Sequence, residues 1–238
     1  MKILRQIYAY GSVSVAVLLT GVNGFSFTAD AQEIASVDAQ NSEIAQFKEL
    51  YKRPISIPFP KDNPYSPEKA SLGKLLYFDT RLSGSNILSC GSCHNPGFGW
   101  QDGLPKGVGH EMTILGRRTP TILNVAWGDK YFWDGRAATL EEQALGPIAS
   151  GVEMNQDLDE LVEELSKVDG YQKRFKAVFP NDGITSETIA KAIATYERTV
   201  TASRSPFDKW IEGDENAISE SAKRGFILYN TKAECALC

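Results

Sequence analysis

No block of basic residues occurs in this chain, and no run alternates apolar and polar residues long enough to read as a sheet strand. Thirty acidic side chains against twenty-five basic ones leave a net charge of −5, without the positive footprint of a nucleic-acid binder. Cysteine is scarce, four in 238 residues, so no broad disulfide framework is available; histidine is scarcer, with two. One extended apolar run exists, from about residue 7 to residue 22. It is interrupted by Tyr10, Gly11, Ser12 and Ser14 and is short for a bilayer span.

That run has the layout of an export signal. Lys2 and Arg5 precede it, and Ala29 and Ala31 in "ADAQ" follow it with the spacing of a cleavage site, so residues 1–31 read as a signal peptide. Export puts the mature chain in an oxidising compartment, where unpaired thiols are not normally left free. The cysteines nevertheless come as two CxxC pairs, Cys90–Cys93 and Cys235–Cys238. A disulfide within CxxC closes a very small loop. Zinc knuckles usually lie about 15–20 residues apart, whereas Cys235 lies 142 positions after Cys93. Zinc stays open but poorly motivated, and the third reading is covalent haem: two thiols three residues apart add to two vinyl groups, and an adjacent histidine ligates the iron. His94 follows Cys93 at once, whereas no residue follows Cys238 in this chain.

Elsewhere the sequence reads as helices joined by long Gly/Pro-rich loops. Ser66-Pro67-Glu68 opens a helix with Leu72, Leu75 and Leu76 expected on one side. The stretch from Gly84 to Gly135 reads as loop, long enough to need a functional reason. Thr139 to Glu142 form a capping box that puts Gln143 in the first turns of the next helix. Helical periodicity returns at 158–168 and at 189–200, the latter opened by Thr185, and Ser205-Pro206 starts another helix. A helix leading into a CxxC loop occurs twice, "KASLGKLLYFD…CGSCH" and "ESAKRGFILYN…CALC", a weak internal duplication.

The blocks "LGKLLYFDTRLSGSNILSCGSCHNP", "RRTPTILNVAW" and "FWDGRAATLEEQALGPI", with Glu153-Met154, resemble the bacterial di-haem cytochrome c peroxidases, the family that includes MauG. The resemblance runs from about Ser66 to the end. It implies an all-α fold of tandem cytochrome c-type domains with one haem c each. The first, peroxidatic domain would occupy 32–204. The second, electron-transfer domain would begin at 205 and be cut off near its start, a histidine being expected after Cys238.

The resemblance also implies roles. Cys90 and Cys93 attach the first haem and His94 is its proximal iron ligand; Cys235 and Cys238 belong to the second. Glu153 becomes the catalytic acid/base, Gln143 a holder of peroxide beside Pro147, and Trp133 the aromatic between the haems. His110, sixteen residues after His94 in "GVGHEM", becomes a distal ligand that caps the first iron until the other haem is reduced. Arg118 stands where the peroxidase branch has an asparagine that helps bind calcium, and a cation there opposes calcium.

The function implied is a periplasmic peroxidase that reduces hydrogen peroxide to water with electrons from a small cytochrome c or cupredoxin. MauG-type oxidation of a partner protein and a non-catalytic electron-transfer cytochrome are the alternatives. A homodimer and no nucleic acid complete the expected partners.

Overall fold

The computed structural model describes residues 42–237; the expected signal peptide and Cys238 lie outside them. Among the described residues the chain is helical, with three isolated β-bridges and no strand. Helix α1 covers residues 42–50. Helix α2, Pro67–Tyr77, begins where Ser66 accepts a hydrogen bond from the Lys69 N–H at 3.1 Å and Pro67 takes the first helical position. Leu72 and Leu76 are fully buried, but Leu75, expected beside them, is 43% exposed. Three residues from Leu72 amount to about 300° of turn, which carries Leu75 past the edge of a narrow buried stripe.

The expected loop from Gly84 to Gly135 contains only single turns: the one-turn α3, Cys90–Cys93, and 3-10 turns at Pro96–Phe98, His110–Met112 and Val125–Trp127. Helix α4, Leu140–Ala149, follows. Its cap is a shifted box: Thr139 accepts from the Glu142 N–H at 3.1 Å, while the Glu142 carboxylate accepts from the Ala138 N–H at 2.8 Å. Then come α5, Leu158–Ser166; α6, Asp169–Val178; α7, Ser186–Thr199; α8, Pro206–Ile211; and α9, Glu220–Asn230. Helix α7 has the expected Thr185 cap, made reciprocal by Thr188, and Ser205 caps α8 through Asp208.

The described residues divide into two compact units, 52–224 in one and 42–51 with 225–237 in the other. Ser205, the expected start of the second haem domain, lies in the first. In the smaller unit Phe226 meets Phe47 and Tyr51 edge-on, and the Tyr51 hydroxyl donates to Asn230 Oδ1 at 2.6 Å. In the larger unit α2 and α7 are the most closely packed pair. A Cβ on Gly73 would lie 1.9 Å from the Ala192 carbonyl oxygen, so only glycine allows that approach.

A polar clamp ties this pair to α4. Fully buried Asn63 donates to Glu141 Oε1 at 2.7 Å and to the Lys191 carbonyl at 2.9 Å, and it accepts from Lys69 Nζ at 2.8 Å. Arg198 on α7 forks onto Glu141 on α4 at 2.6 and 2.9 Å. No helix among the described residues is long and apolar enough to cross a membrane.

Candidate haem site

A cavity of about 470 Å³ opens within the larger unit, bounded by α3, α4, α7 and the loops between residues 109 and 154. Spacing explains which side chains reach it. Leu140, Gln143, Ala144 and Pro147 line it from one face of α4, at the i, i+3, i+4, i+7 positions of a helical stripe. Ile193 and Glu197, four apart, line it from α7. Pro147 has no N–H, so the helical bond to the Gln143 carbonyl is missing within α4.

The CxxCH stretch forms one wall. Ser89 caps α3 by a reciprocal pair with Ser92, and the turn sets Cys90, Cys93 and His94 along the cavity. Both thiols are half-buried and unpaired. Burial pushes both thiols up from their ordinary value, with Glu197 adding to the effect at Cys90 and Asp102 and Glu153 at Cys93, so they are uncharged. Burial lowers His94 in turn, against the carbonyls of Trp100 and Pro120, which favour its charged form. The ring is therefore neutral, and its Nδ1 lies 3.3 Å from the Trp100 carbonyl. An Nδ1–H donated there leaves the Nε2 lone pair for a metal. Behind this wall Tyr77 packs against Trp100 and Tyr196 at 6.1 and 5.2 Å between ring centres.

Glu153 is half-buried in a short loop that is held on both sides. The Gly84 N–H donates to the Met154 carbonyl at 3.0 Å, and the His110 N–H donates to the Val152 and Glu153 carbonyls at 3.2 and 2.8 Å. A Cβ on Gly109 would stand 2.1 Å from the Val152 carbonyl oxygen, so this approach too requires glycine.

Cys90, Cys93, His94, Gln143, Pro147, Glu153 and the 62%-exposed Trp133 thus share one cavity. His110 is not among its lining residues: its Nε2 lies 3.2 Å from Asn155 Nδ2, and its buried Nδ1 has no partner. Arg118 lines the cavity but donates to Gln101 at 2.6 Å, while its carbonyl accepts from the Trp133 indole at 2.7 Å. Asp134 bridges Arg117 and Arg136 at 3.0 and 2.9 Å; its bond to Arg136, then that to Arg117, holds it below the usual carboxylate range. Cys235 sits in a 3-10 turn, Cys235–Leu237.

One group escaped the sequence reading. Glu197 is only 6% exposed, and its Oε2 has no hydrogen-bond partner. Burial raises its carboxyl to about 8; neighbouring Arg198 opposes this and Glu141 adds to it. The signal was available, because Ile189, Ile193 and Glu197 recur every four residues and place an acid in register with a buried stripe.

The residues present suit a covalently held haem: a cavity of adequate size, two uncharged thiols on its wall, a neutral imidazole with Nδ1 engaged, and an unpartnered buried carboxyl oxygen. No cluster of three or more histidine, cysteine or acidic residues that could hold a bare metal ion occurs among the described residues.

Comparison with known proteins agrees. Residues 67–216 match the family model described as di-haem cytochrome c peroxidase. The chain is 47% identical over 212 residues to the methylamine utilization protein MauG of Methylorubrum extorquens, covering 89% of this chain and 60% of that protein. It is 40% identical over 175 residues to the cytochrome c551 peroxidase of Nitrosomonas europaea, covering 74% and 52%. Among solved structures, a MauG-like protein associated with microbial copper homeostasis matches with TM-score 0.71 and 34% identity, over 79% of this chain and 57% of that one. The chain therefore spans about half to three fifths of the relatives it matches.

Proposed function

The chain belongs to the di-haem cytochrome c peroxidase family that includes MauG, and on that premise we propose that the full protein is a periplasmic, haem-dependent peroxidase. The observation that carries this reading is that Gln143 and Glu153 line the same cavity as Cys90, Cys93 and His94. An electron-carrier cytochrome with a closed site has no use for an amide and an acid there.

In this reading Cys90 and Cys93 would hold the peroxidatic haem c, and the neutral His94 imidazole would ligate its iron. When bound, that haem supplies the redox-active iron. The chain's own residues handle substrate and protons. Gln143 orients hydrogen peroxide by hydrogen bonding. Glu153 takes the proton from one peroxide oxygen and returns it to the other, which departs as water; one carboxylate serves both steps. Two electrons and two protons complete the conversion of one peroxide to two waters. The electrons come from a small cytochrome c or cupredoxin through a second haem, to which Cys235 and Cys238 would contribute, with Trp133 on the path. His110 would be a further ligand that caps this iron until the other haem is reduced. Calcium is disfavoured by Arg118, and a homodimer is the proposed assembly.

A second reading is favoured by one observation: the identity to MauG, 47%, exceeds that to the Nitrosomonas peroxidase, 40%. MauG-type oxidation of a partner protein would use the same cavity and the same proton chemistry. Steady-state assays of the full-length protein separate the two. Rapid peroxide consumption with a reduced small cytochrome supports the peroxidase; slow consumption with oxidation of aromatic side chains on a co-purifying protein supports the second reading. Absence of both activities in haem-loaded protein would leave the electron carrier.

A further inference from the structure

Besides Glu153 and the arginine-paired Asp134, the cavity is lined by a third acid that the reaction above does not employ. Glu197 reaches it from α7, four residues from Ile193, is 6% exposed, and leaves Oε2 unbonded. The one cation beside it in sequence is engaged elsewhere. Arg198, on the next position of the helix, spends both Nη atoms on Glu141 at 2.6 and 2.9 Å. The other titratable groups near Glu197 are the Cys90 thiol and the hydroxyls of Tyr77, Tyr131 and Tyr196, none of them positive. A buried carboxylate with no donor on Oε2, whose one neighbouring cation is already paired with Glu141, is costly, and taking up a proton relieves that cost.

We propose that Glu197 is a further protonatable group of this cavity, coupled to the charge of its occupant. When one electron enters the occupant from the small redox donor, the Glu197 carboxylate takes one proton from solvent and becomes a neutral acid. When the electron leaves, the proton leaves. One electron and one proton move together, so the net charge of the buried site is unchanged. Glu197 thereby stores, ahead of peroxide, one of the two protons that peroxide reduction consumes. The raised acidity constant of its carboxyl, about 8, places this exchange near neutral pH. The inference rests on the cavity holding a redox-active haem.

The test uses the full-length, haem-loaded protein. Loss of the attached haem in the Cys90→Ala/Cys93→Ala variant, read by the pyridine haemochrome spectrum, first checks occupancy. If that haem content is unchanged, the haem reading falls and the Glu197 proposal with it. With occupancy established, the midpoint potential of this haem is titrated spectroelectrochemically from about pH 6 to about pH 9. A tenfold change in proton activity corresponds to about 59 mV for a one-electron couple. The parent is expected to approach that slope, and Glu197→Gln, which cannot bind the proton, is expected to be nearly flat at unchanged haem content. Equal slopes in parent and variant, or a flat parent, overturn the proposal while leaving the haem reading intact. If the glutamine variant does not fold, the reduced-minus-oxidised infrared spectrum is recorded in a Glu153→Gln background. A protonated-carboxyl C=O band that grows on reduction supports Glu197; no such band overturns it.

Discussion

The backbone N–H of His110 donates to the carbonyl oxygen of Glu153 at 2.8 Å. Two residues forty-three positions apart, both expected at the haem site from the family resemblance, are joined through the main chain rather than through their side chains. The loop carrying one is the clamp that positions the other.

Gly109 makes that clamp geometrically feasible. Gly109→Ala places a methyl group 2.1 Å from the Val152 carbonyl oxygen, so the loops must separate. Overpacking of this kind costs about 1–3 kcal/mol. The expected result is a lower thermal midpoint together with reduced peroxide turnover, because Glu153 moves with the displaced strand of loop. A variant with parental midpoint and turnover would show that the contact is not tight in solution.

In its proposed capping role the His110 ring would have to give up Asn155, whose Nδ2 lies 3.2 Å from its Nε2. The fully oxidised, complete protein is expected to show a low-spin bis-histidine EPR signal from the first haem. His110→Gly is expected to be high-spin and active without pre-reduction. Asn155→Ala, which frees the ring, should increase the low-spin share. A parent that is already high-spin makes His110 an ordinary loop residue.

Glu153→Gln in the complete protein is expected to retain haem and lose about 10²–10⁴-fold in peroxide turnover, the usual worth of a positioned acid/base. Gln143→Ala should lose less, since it removes orientation and leaves the proton carrier. Turnover of Glu153→Gln within a few-fold of the parent would exclude the carboxyl as proton shuttle.

Glu141 supplies a pH signature. Burial pushes its carboxyl up, but the bonds from Arg198 and Asn63 outweigh burial and hold it below its ordinary value of 4.5. The folded state therefore binds this proton less readily than the unfolded state. The resulting stabilisation is fully present above about pH 4.5 and is lost as pH falls through the depressed folded value. Urea melts of Glu141→Gln should show a flatter acid limb than the parent. Arg198→Met, which leaves the half-buried acid with only the Asn63 amide, should be destabilising near neutrality by less than the about 3–5 kcal/mol of a fully buried pair broken on one side.

The sequence made the helix starts legible because the caps are local chemistry. Ser66, Thr139, Thr185 and Ser205 each accept from a backbone N–H three residues on. Helix α6 went unread: Val168 offers no capping side chain and Gly170 sits in the first turn, although Tyr171, Phe175 and Phe179 keep a four-residue buried spacing. Leu75 was misplaced because a list of leucines is not a face. The meeting of Gln143, Glu153 and Cys93 at one cavity came from family blocks, since residues on three loops and helices share no local period. Glu197 needed the structure to show that its neighbour Arg198 is already spent on Glu141.

The wall of the cavity bears on how the chain reaches its folded state. From residue 84 to residue 135 it contains only single helical turns and isolated bridges, so little of it can form from local contacts. Its shape depends on anchors far along the chain: the Gly84 and His110 N–H groups on carbonyls of the 152–154 loop, and the Asn124 N–H on the Val200 carbonyl. Pairings of such sequence separation close slowly. The CxxCH wall is therefore expected to take its final form late, after α4 and α7 have packed.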